Sequence, residues 1–123
     1  MKGYSEMSQE LFKEIDYALG NIAIDSRWET KNHEFEAFAD IDGIKKLYKV
    51  DYFLNGKVIE FNGDFWHANP KFYKVDEMLK MFDNTTIQAK EIWNRDKHRL
   101  QALEKLGYKI LVVWENDYAN DKD

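Results

Sequence analysis

Apolar positions along the chain change their period several times. Met7, Leu11, Ile15 and Leu19 recur every four residues, the spacing of one helical face. Residues 8–19 therefore read as an amphipathic helix, with Ser5 or Ser8 suited to its start and Gly20 to the position past its end. Residues 21–32 carry no clear period. Beyond them, Asp42-Gly43 and Asn55-Gly56 are dipeptides favoured in two-residue hairpin turns. They divide residues 34–41, 44–54 and 57 to about 66 into three consecutive antiparallel strands. Met78 and Met81 suggest a short helix within residues 72–83. Thr85-Thr86-Ile87-Gln88 has the form of a capping box, which starts a longer helix running to Leu106 and stopped by Gly107. The nearly all-apolar run at 109–114 has the pattern of a strand buried on both faces. The order α-β-β-β-α-β predicts an α/β fold, with a mixed sheet of about four strands flanked by helices.

Composition narrows this picture. The chain has 123 residues, 44% hydrophobic and 33% charged, which suits one folded domain over residues 1–123 and leaves no room for a second core. There is neither an internal repeat nor an interdomain linker, and no charged-then-apolar leader opens the sequence. The longest apolar run, Ile110 to Trp114, is far too short to cross a membrane. Cysteine is absent, so disulfides and thiolate metal sites are excluded and a cytosolic setting is permitted. The net charge of −5, from 18 basic and 23 acidic residues, is a poor balance for gripping a nucleic acid unaided.

The hairpin register brings chemistry into view. With Asn55-Gly56 as the turn, Tyr52 faces Ile59, Asp51 faces Glu60 and Lys49 faces Asn62. Alternation puts Asp51, Glu60, Lys49 and Asn62 on one side of the ribbon. The Asp42-Gly43 turn sets Glu36 opposite Lys49 on that same side. Two directly opposed carboxylates repel, and a sheet gains nothing from them. A divalent cation between them reverses the sign, because Mg²⁺ prefers carboxylate oxygens. A solvated charged face is the alternative. Asp96 is a second signal, since it interrupts the helical stripe of Ile92, Leu100 and Leu103 and needs a partner such as a His or an Arg. The plainer reading is a half-exposed Asp paired with Arg95, Lys97 or Arg99. His67, at the end of the third strand, suits proton transfer near neutral pH, although a lone His after an aromatic pair also serves as a structural cap. His33 and His98 read as solvated, and Glu10, taken alone, as a surface charge.

Three stretches together carry a resemblance. They are Val50-Asp51 leading to Ile59-Glu60-Phe61-Asn62-Gly63-Asp64-Phe65-Trp66-His67, then Ile92-Trp93-Asn94-Arg95-Asp96, then Leu106-Gly107-Tyr108-Lys109-Ile110-Leu111-Val112-Val113-Trp114-Glu115. This pattern resembles the very short patch repair (Vsr) endonucleases, and more closely the Vsr-like EDxHD homing endonucleases, both of the PD-(D/E)XK nuclease superfamily. The resemblance spans residues 8–118. It implies a restriction-endonuclease-like fold and Mg²⁺- or Mn²⁺-dependent hydrolysis of DNA to 5′-phosphate and 3′-hydroxyl ends. Asp51 falls on the family's metal-binding aspartate, and Phe61 where a backbone carbonyl coordinates the metal. Glu60 occupies the second acidic position of the superfamily, one at which the repair enzymes lack a carboxylate. Glu10, His67 and Asp96 match the remaining catalytic positions, which turns Glu10 from a surface charge into a candidate. Asn62 stands where the superfamily has Lys and the repair enzymes have His.

The resemblance also suggests partners. Phe65 and Trp66 occupy positions that wedge into the base stack in the repair enzymes, and Lys49, Arg95 and Arg99 are candidate DNA contacts. Lys90, Arg95, Lys97, Arg99 and Lys105 make the long helix locally basic, which is also what a solvated helix face looks like. The expected partner is double-stranded DNA. The acidic charge is accounted for if a further DNA-binding domain or a partner chain supplies phosphate affinity, and oligomerisation is open. No structural zinc is expected, because the family's cysteine ligands are missing. A phage or bacterial cytoplasm is the setting the resemblance implies. A mismatch-repair nickase, a restriction endonuclease and a catalytically silent binding module of the same fold are the alternatives.

Overall fold

The computed structural model describes residues 5–121, so 1–4 and 122–123 of the expected domain lie outside the described residues. Helix α1, Glu6–Leu19, begins just after Ser5, whose hydroxyl accepts the Ser8 N–H at 3.2 Å. A single 3₁₀ turn, Gly20–Ala23, leads to β1, Arg27–Trp28. A two-residue strand is too short to leave a period, which is why it was not foreseen.

Both hairpin turns form at the expected dipeptides. Asp42 and Gly43 have φ of 54° and 81°, Asn55 and Gly56 of 49° and 78°, the paired positive values that a type I′ turn demands. The first turn joins β2, Phe35–Ile41, to β3, Ile44–Val50. The second joins β4, Tyr52–Leu54, to β5, Lys57–Asn62. The single strand expected over 44–54 is broken at Asp51. β3 remains with β2 in a two-stranded ribbon, whereas β4 enters a four-stranded sheet of order β1-β4-β5-β8. Glu36 does face Lys49 as expected, but Lys49 does not face Asn62, because β3 and β5 are not paired.

Three further expectations are corrected. The third strand ends at Asn62 rather than near Trp66, and residues 64–68 form a turn. The segment expected to hold a short helix is a hairpin of β6, Met78–Lys80, and β7, Thr86–Gln88. In β6 only the middle residue, Leu79, is buried, so the period is that of a strand. The apparent capping box thus lies largely in β7, and helix α2, Ala89–Lys105, begins without a side-chain cap. Gly107, at φ 96°, closes that helix as expected. Strand β8, Lys109–Trp114, pairs parallel with β5. It forms the sheet's edge, and Leu111 is 58% exposed, so it is not covered on both faces. A short helix α3, Glu115–Asn120, follows.

The result is a mixed α/β architecture with a four-stranded mixed sheet between helices. Phe12 on α1 packs with Trp28, Tyr52, Leu54 and Phe61 on one face. Val58, Val50, Ala102 and Leu103 fill the other, where α2 and the inner side of the β2–β3 ribbon meet. Each fully buried side chain of this size contributes about 1.5–3 kcal/mol. Alternation then sends Asp51, Glu60 and Asn62 to the α2 side, opposite to Tyr52, Ile59 and Phe61. Among the described residues, no helix is long and apolar enough to cross a membrane.

Candidate active site

The β4–β5 ladder ends at Tyr52 and Ile59. One position further on, two carboxylates replace the missing backbone pairing. Glu60 Oε2 accepts the Asp51 N–H at 3.1 Å, and Asp51 Oδ2 accepts the Phe61 N–H at 2.8 Å. Each strand's acid thereby caps the other strand's amide. This reciprocal lock fixes both side chains where β3 diverges from β4. Glu60 is 5% exposed. Burial and repulsion from Glu60, only partly offset by the Phe61 amide and Arg99, push the Asp51 carboxyl up to about 7.

Arg99 supplies the counter-charge. Its Nε and Nη2 donate to Glu60 Oε1 at 2.9 and 2.6 Å, and Nη2 also donates to the Lys49 carbonyl at 2.5 Å. Two carboxylates face one guanidinium, so the ionised cluster is one positive charge short.

His67 lies across the same cleft. Its Nδ1 is 2.8 Å from Asp96 Oδ2, so Asp96 is its partner, while Arg95 approaches the other Asp96 oxygen at 3.7 Å. A proton on Nδ1, held toward the carboxylate, leaves Nε2 as the basic nitrogen. The loop carrying His67 is tied down at several points. Its amide donates to Gly63 O at 3.1 Å, and Trp93 Nε1 on α2 donates to Ala68 O at 2.6 Å. Asn69 donates to Asp64 Oδ1 at 2.9 Å, and the Asp64 amide donates to Glu115 at 3.0 Å, which anchors the loop to the start of α3.

Asp51 and His67 both line two open cavities. The first, about 660 Å³, is also bordered by Glu60, Asn62, Lys46, Arg95, Asp96 and Arg99. The second, about 570 Å³, runs past Phe61, Phe65, Trp66, Phe82, Glu34 and Glu115, with no Lys or Arg among the described residues that line it. Phe65 and Trp66 are 39% and 40% exposed, so they are not core residues. Trp66 packs against Phe82 from the β6–β7 hairpin at 4.5 Å between ring centroids.

Of the expected residues, Asp51, Glu60, Phe61, Asn62, His67 and Asp96 converge, and Phe65, Trp66, Arg95 and Arg99 border them. Two do not join them. Glu10 is on an exposed part of α1 and lines neither cavity, its charge being felt instead by the Tyr118 phenol. Lys49 is drawn to Glu34 at 3.7 Å and is largely exposed. Asp64, Asn69, Trp93 and Glu115, which hold the His67 loop, went unforeseen. Phe82 did too, because its segment was read as a helix. The Asp64–Asn69 link, a short polar pair flanking the aromatic–His run, was the one usable signal.

Comparison with protein-family models, with curated proteins and with solved structures found no match.

Among the described residues no three His, Asp or Glu side chains form a ready-made cage for a divalent cation. What exists is smaller: a half-buried Asp51 whose charged form lacks compensation, beside Phe61, whose amide it accepts. An extended residue sends its N–H and C=O to the same edge, so the Phe61 carbonyl belongs to the Asp51 side. These oxygen donors fit a hard cation that keeps several waters, as Mg²⁺ does. Glu60 fits less well as a ligand, since both its oxygens are engaged by Arg99 and the Asp51 amide.

Proposed function

We propose that this chain is a Mg²⁺-dependent DNA endonuclease, a Vsr-like EDxHD domain with the PD-(D/E)XK fold. One observation carries the reading. An acidic cluster short of one positive charge, Asp51 with Glu60 and Arg99, shares the first cavity with an oriented His67–Asp96 pair. A hard cation satisfies the first and a nucleophilic water suits the second. Asp51 and the Phe61 carbonyl would hold the metal. When bound it supplies Lewis-acid stabilisation of the phosphate charge and acidifies water.

The protein groups have separable tasks. His67 Nε2 accepts the proton of the attacking water, and the resulting imidazolium is stabilised by Asp96. Asp96 also keeps the ring in the tautomer that leaves Nε2 basic. The new P–O bond forms as the P–O3′ bond breaks, leaving a 5′-phosphate and a 3′-hydroxyl after the leaving oxygen gains a proton. Lys46, Arg95 and Arg99 in the first cavity are placed to attract the phosphate backbone. The second cavity, aromatic and without Lys or Arg among the described residues, suits bases rather than phosphates, in keeping with a wedging role for Phe65 and Trp66. The −5 net charge makes this chain a weak DNA binder alone, consistent with an additional DNA-binding domain or partner chain.

The test is nicking of supercoiled plasmid by the purified chain in Mg²⁺, with EDTA and Asp51→Ala as controls. Cleavage lost in both controls supports the reading. No cleavage by the parent chain on matched or mismatched DNA, in Mg²⁺ or Mn²⁺, overturns it. That result would favour a silent binding module, for which Arg99 already occupying Glu60 is the supporting observation. Preference for a mismatched duplex would make the enzyme a repair-type nickase.

A further inference from the structure

Among the cations bordering the first cavity, Arg99 is held most tightly. Two of its guanidinium nitrogens are spent on Glu60 and the Lys49 carbonyl, and its Cζ lies 5.4 Å from the Tyr48 ring centroid. Among the described residues the third nitrogen, Nη1, makes no hydrogen bond, although the side chain is 30% exposed and lines the cavity shared by Asp51 and His67. By contrast, the Arg95 side chain is 60% exposed and makes only a 3.7 Å contact to Asp96. A guanidinium offers five donors in a rigid fork. Here the fork is fixed at one end and open at the other, as an oxyanion receptor requires. Stability alone is a weak reason for such a pair, because a buried ion pair gains little over apolar neighbours of the same volume.

We propose that Arg99 is a catalytic residue: its Nη1 donates to a non-bridging oxygen of the scissile phosphate, and Glu60 serves to hold the fork rather than to bind metal. This deepens the nuclease reading and rests on it. Arg99 stabilises the charge that gathers on the phosphate oxygens as water attacks. Asn62, on the same face of β5, has a neutral amide donor to offer but no positive charge.

Arg99→Ala would strand a buried Glu60, so the informative variants are Arg99→Lys and the charge-neutral double change Arg99→Met with Glu60→Gln. Three measurements are made on each: melting temperature, Mg²⁺-dependent cleavage, and affinity for a 20-base-pair duplex in EDTA as salt is varied. Expected is a melting temperature near the parent's with cleavage reduced about 10²–10³-fold, the cost of losing one oxyanion donor. In the double variant the slope of log affinity against log salt should also become shallower by about 0.9, one phosphate contact. Mg²⁺ affinity, by calorimetry, should stay within about threefold of the parent's, since the double change leaves net charge unaltered. A double variant that cuts within about threefold of the parent and keeps the parental slope overturns the proposal. A tenfold or greater loss of Mg²⁺ affinity overturns the role given to Glu60. Should the parent chain not cut at all, the nuclease reading fails, and the salt slope still decides whether Arg99 contacts phosphate.

Discussion

Asp16 and Asp51 are both carboxylates drawn out of water, one on α1 and one at the break between β3 and β4, and their surroundings differ in donor count. Asp16 receives Lys31 at 2.6 Å, Ser26 at 2.7 Å, Tyr52 at 2.8 Å and the Trp28 indole at 3.1 Å. Burial alone would raise its pKa, but these four donors together hold it below the ordinary carboxylate range. The cluster is charge-balanced, and it ties α1, the 3₁₀ turn, β1 and β4 into one body. Asp51 has one amide donor of its own, a second carboxylate beside it and a guanidinium turned mainly to that neighbour. Its charged form is left under-compensated. A saturated acid holds a fold together, whereas an unsaturated one is available to a cation or a proton.

Crossing the two substitutions gives the largest effects. Asp51→Asn should lower cleavage by at least about a thousandfold, since the metal's contribution is several kcal/mol. At pH 7 it should leave the melting temperature equal to or above the parent's, because an ill-compensated charge is gone. Asp16→Asn should do the opposite, costing about 1–3 kcal/mol in urea denaturation because the half-buried Lys31 and the Ser26, Tyr52 and Trp28 donors lose their charged acceptor, with cleavage per folded molecule retained. A parent-like rate for Asp51→Asn would remove Asp51 from the chemistry.

His67 comes next. Its replacement by Ala should reduce the rate by about 10²–10⁴-fold, the usual contribution of a positioned base. Asp96→Asn should cost less in rate, because the ring loses the acceptor that holds its proton on Nδ1 and leaves Nε2 basic. A parental rate would show that Asp96 merely packs against the ring. Smaller again is the response to salt. The chain's DNA affinity should be weak and fall steeply between low and physiological ionic strength, and tight binding that survives high salt would contradict the reading of the −5 charge.

These contrasts also mark what the sequence could and could not reveal. The two Gly-containing turns were legible because positive φ is a local demand met by few residues. Alternation then sufficed to send Asp51, Glu60 and Asn62 to one face. Asp96 stood out because a carboxylate on an apolar stripe needs a partner, and its partner is His67. The break at Asp51 was hidden, because it arises when two side chains replace ladder hydrogen bonds, and no local pattern encodes that exchange. The β6–β7 hairpin was hidden as well, since two methionines spaced three apart fit a helix as readily as a strand pair. Arg99 looked like any cation on a basic helix; only the tertiary approach of α2 to β5 assigns it to Glu60. The Asp16 cluster, gathered from four elements, left no mark along the chain.

The finest distinction between the clusters is in pH, where they act in opposite directions and partly cancel. Asp16 has a lowered pKa in the fold, so the unfolded chain binds its proton more readily. Its stabilisation is present above the unfolded carboxylate range, near pH 4, and is lost as pH falls through the folded value. Asp51 has a raised pKa, so the folded chain retains a proton that the unfolded one has released. Its penalty is absent below about pH 4, grows as pH rises and is complete above about 7. The metal-free protein should accordingly be most stable in the weakly acidic range and decline toward neutrality. Mg²⁺ competes with the Asp51 proton, so it should bind more tightly as pH rises through 7 and remove the neutral-side decline. Melting temperatures from pH 3 to 8, with Mg²⁺ and with EDTA, read all of this in one experiment. The decline should vanish in Asp51→Asn, and the acid-side loss should shrink in Asp16→Asn. If Mg²⁺ leaves the neutral limb where EDTA puts it, Asp51 carries a structural proton and holds no cation.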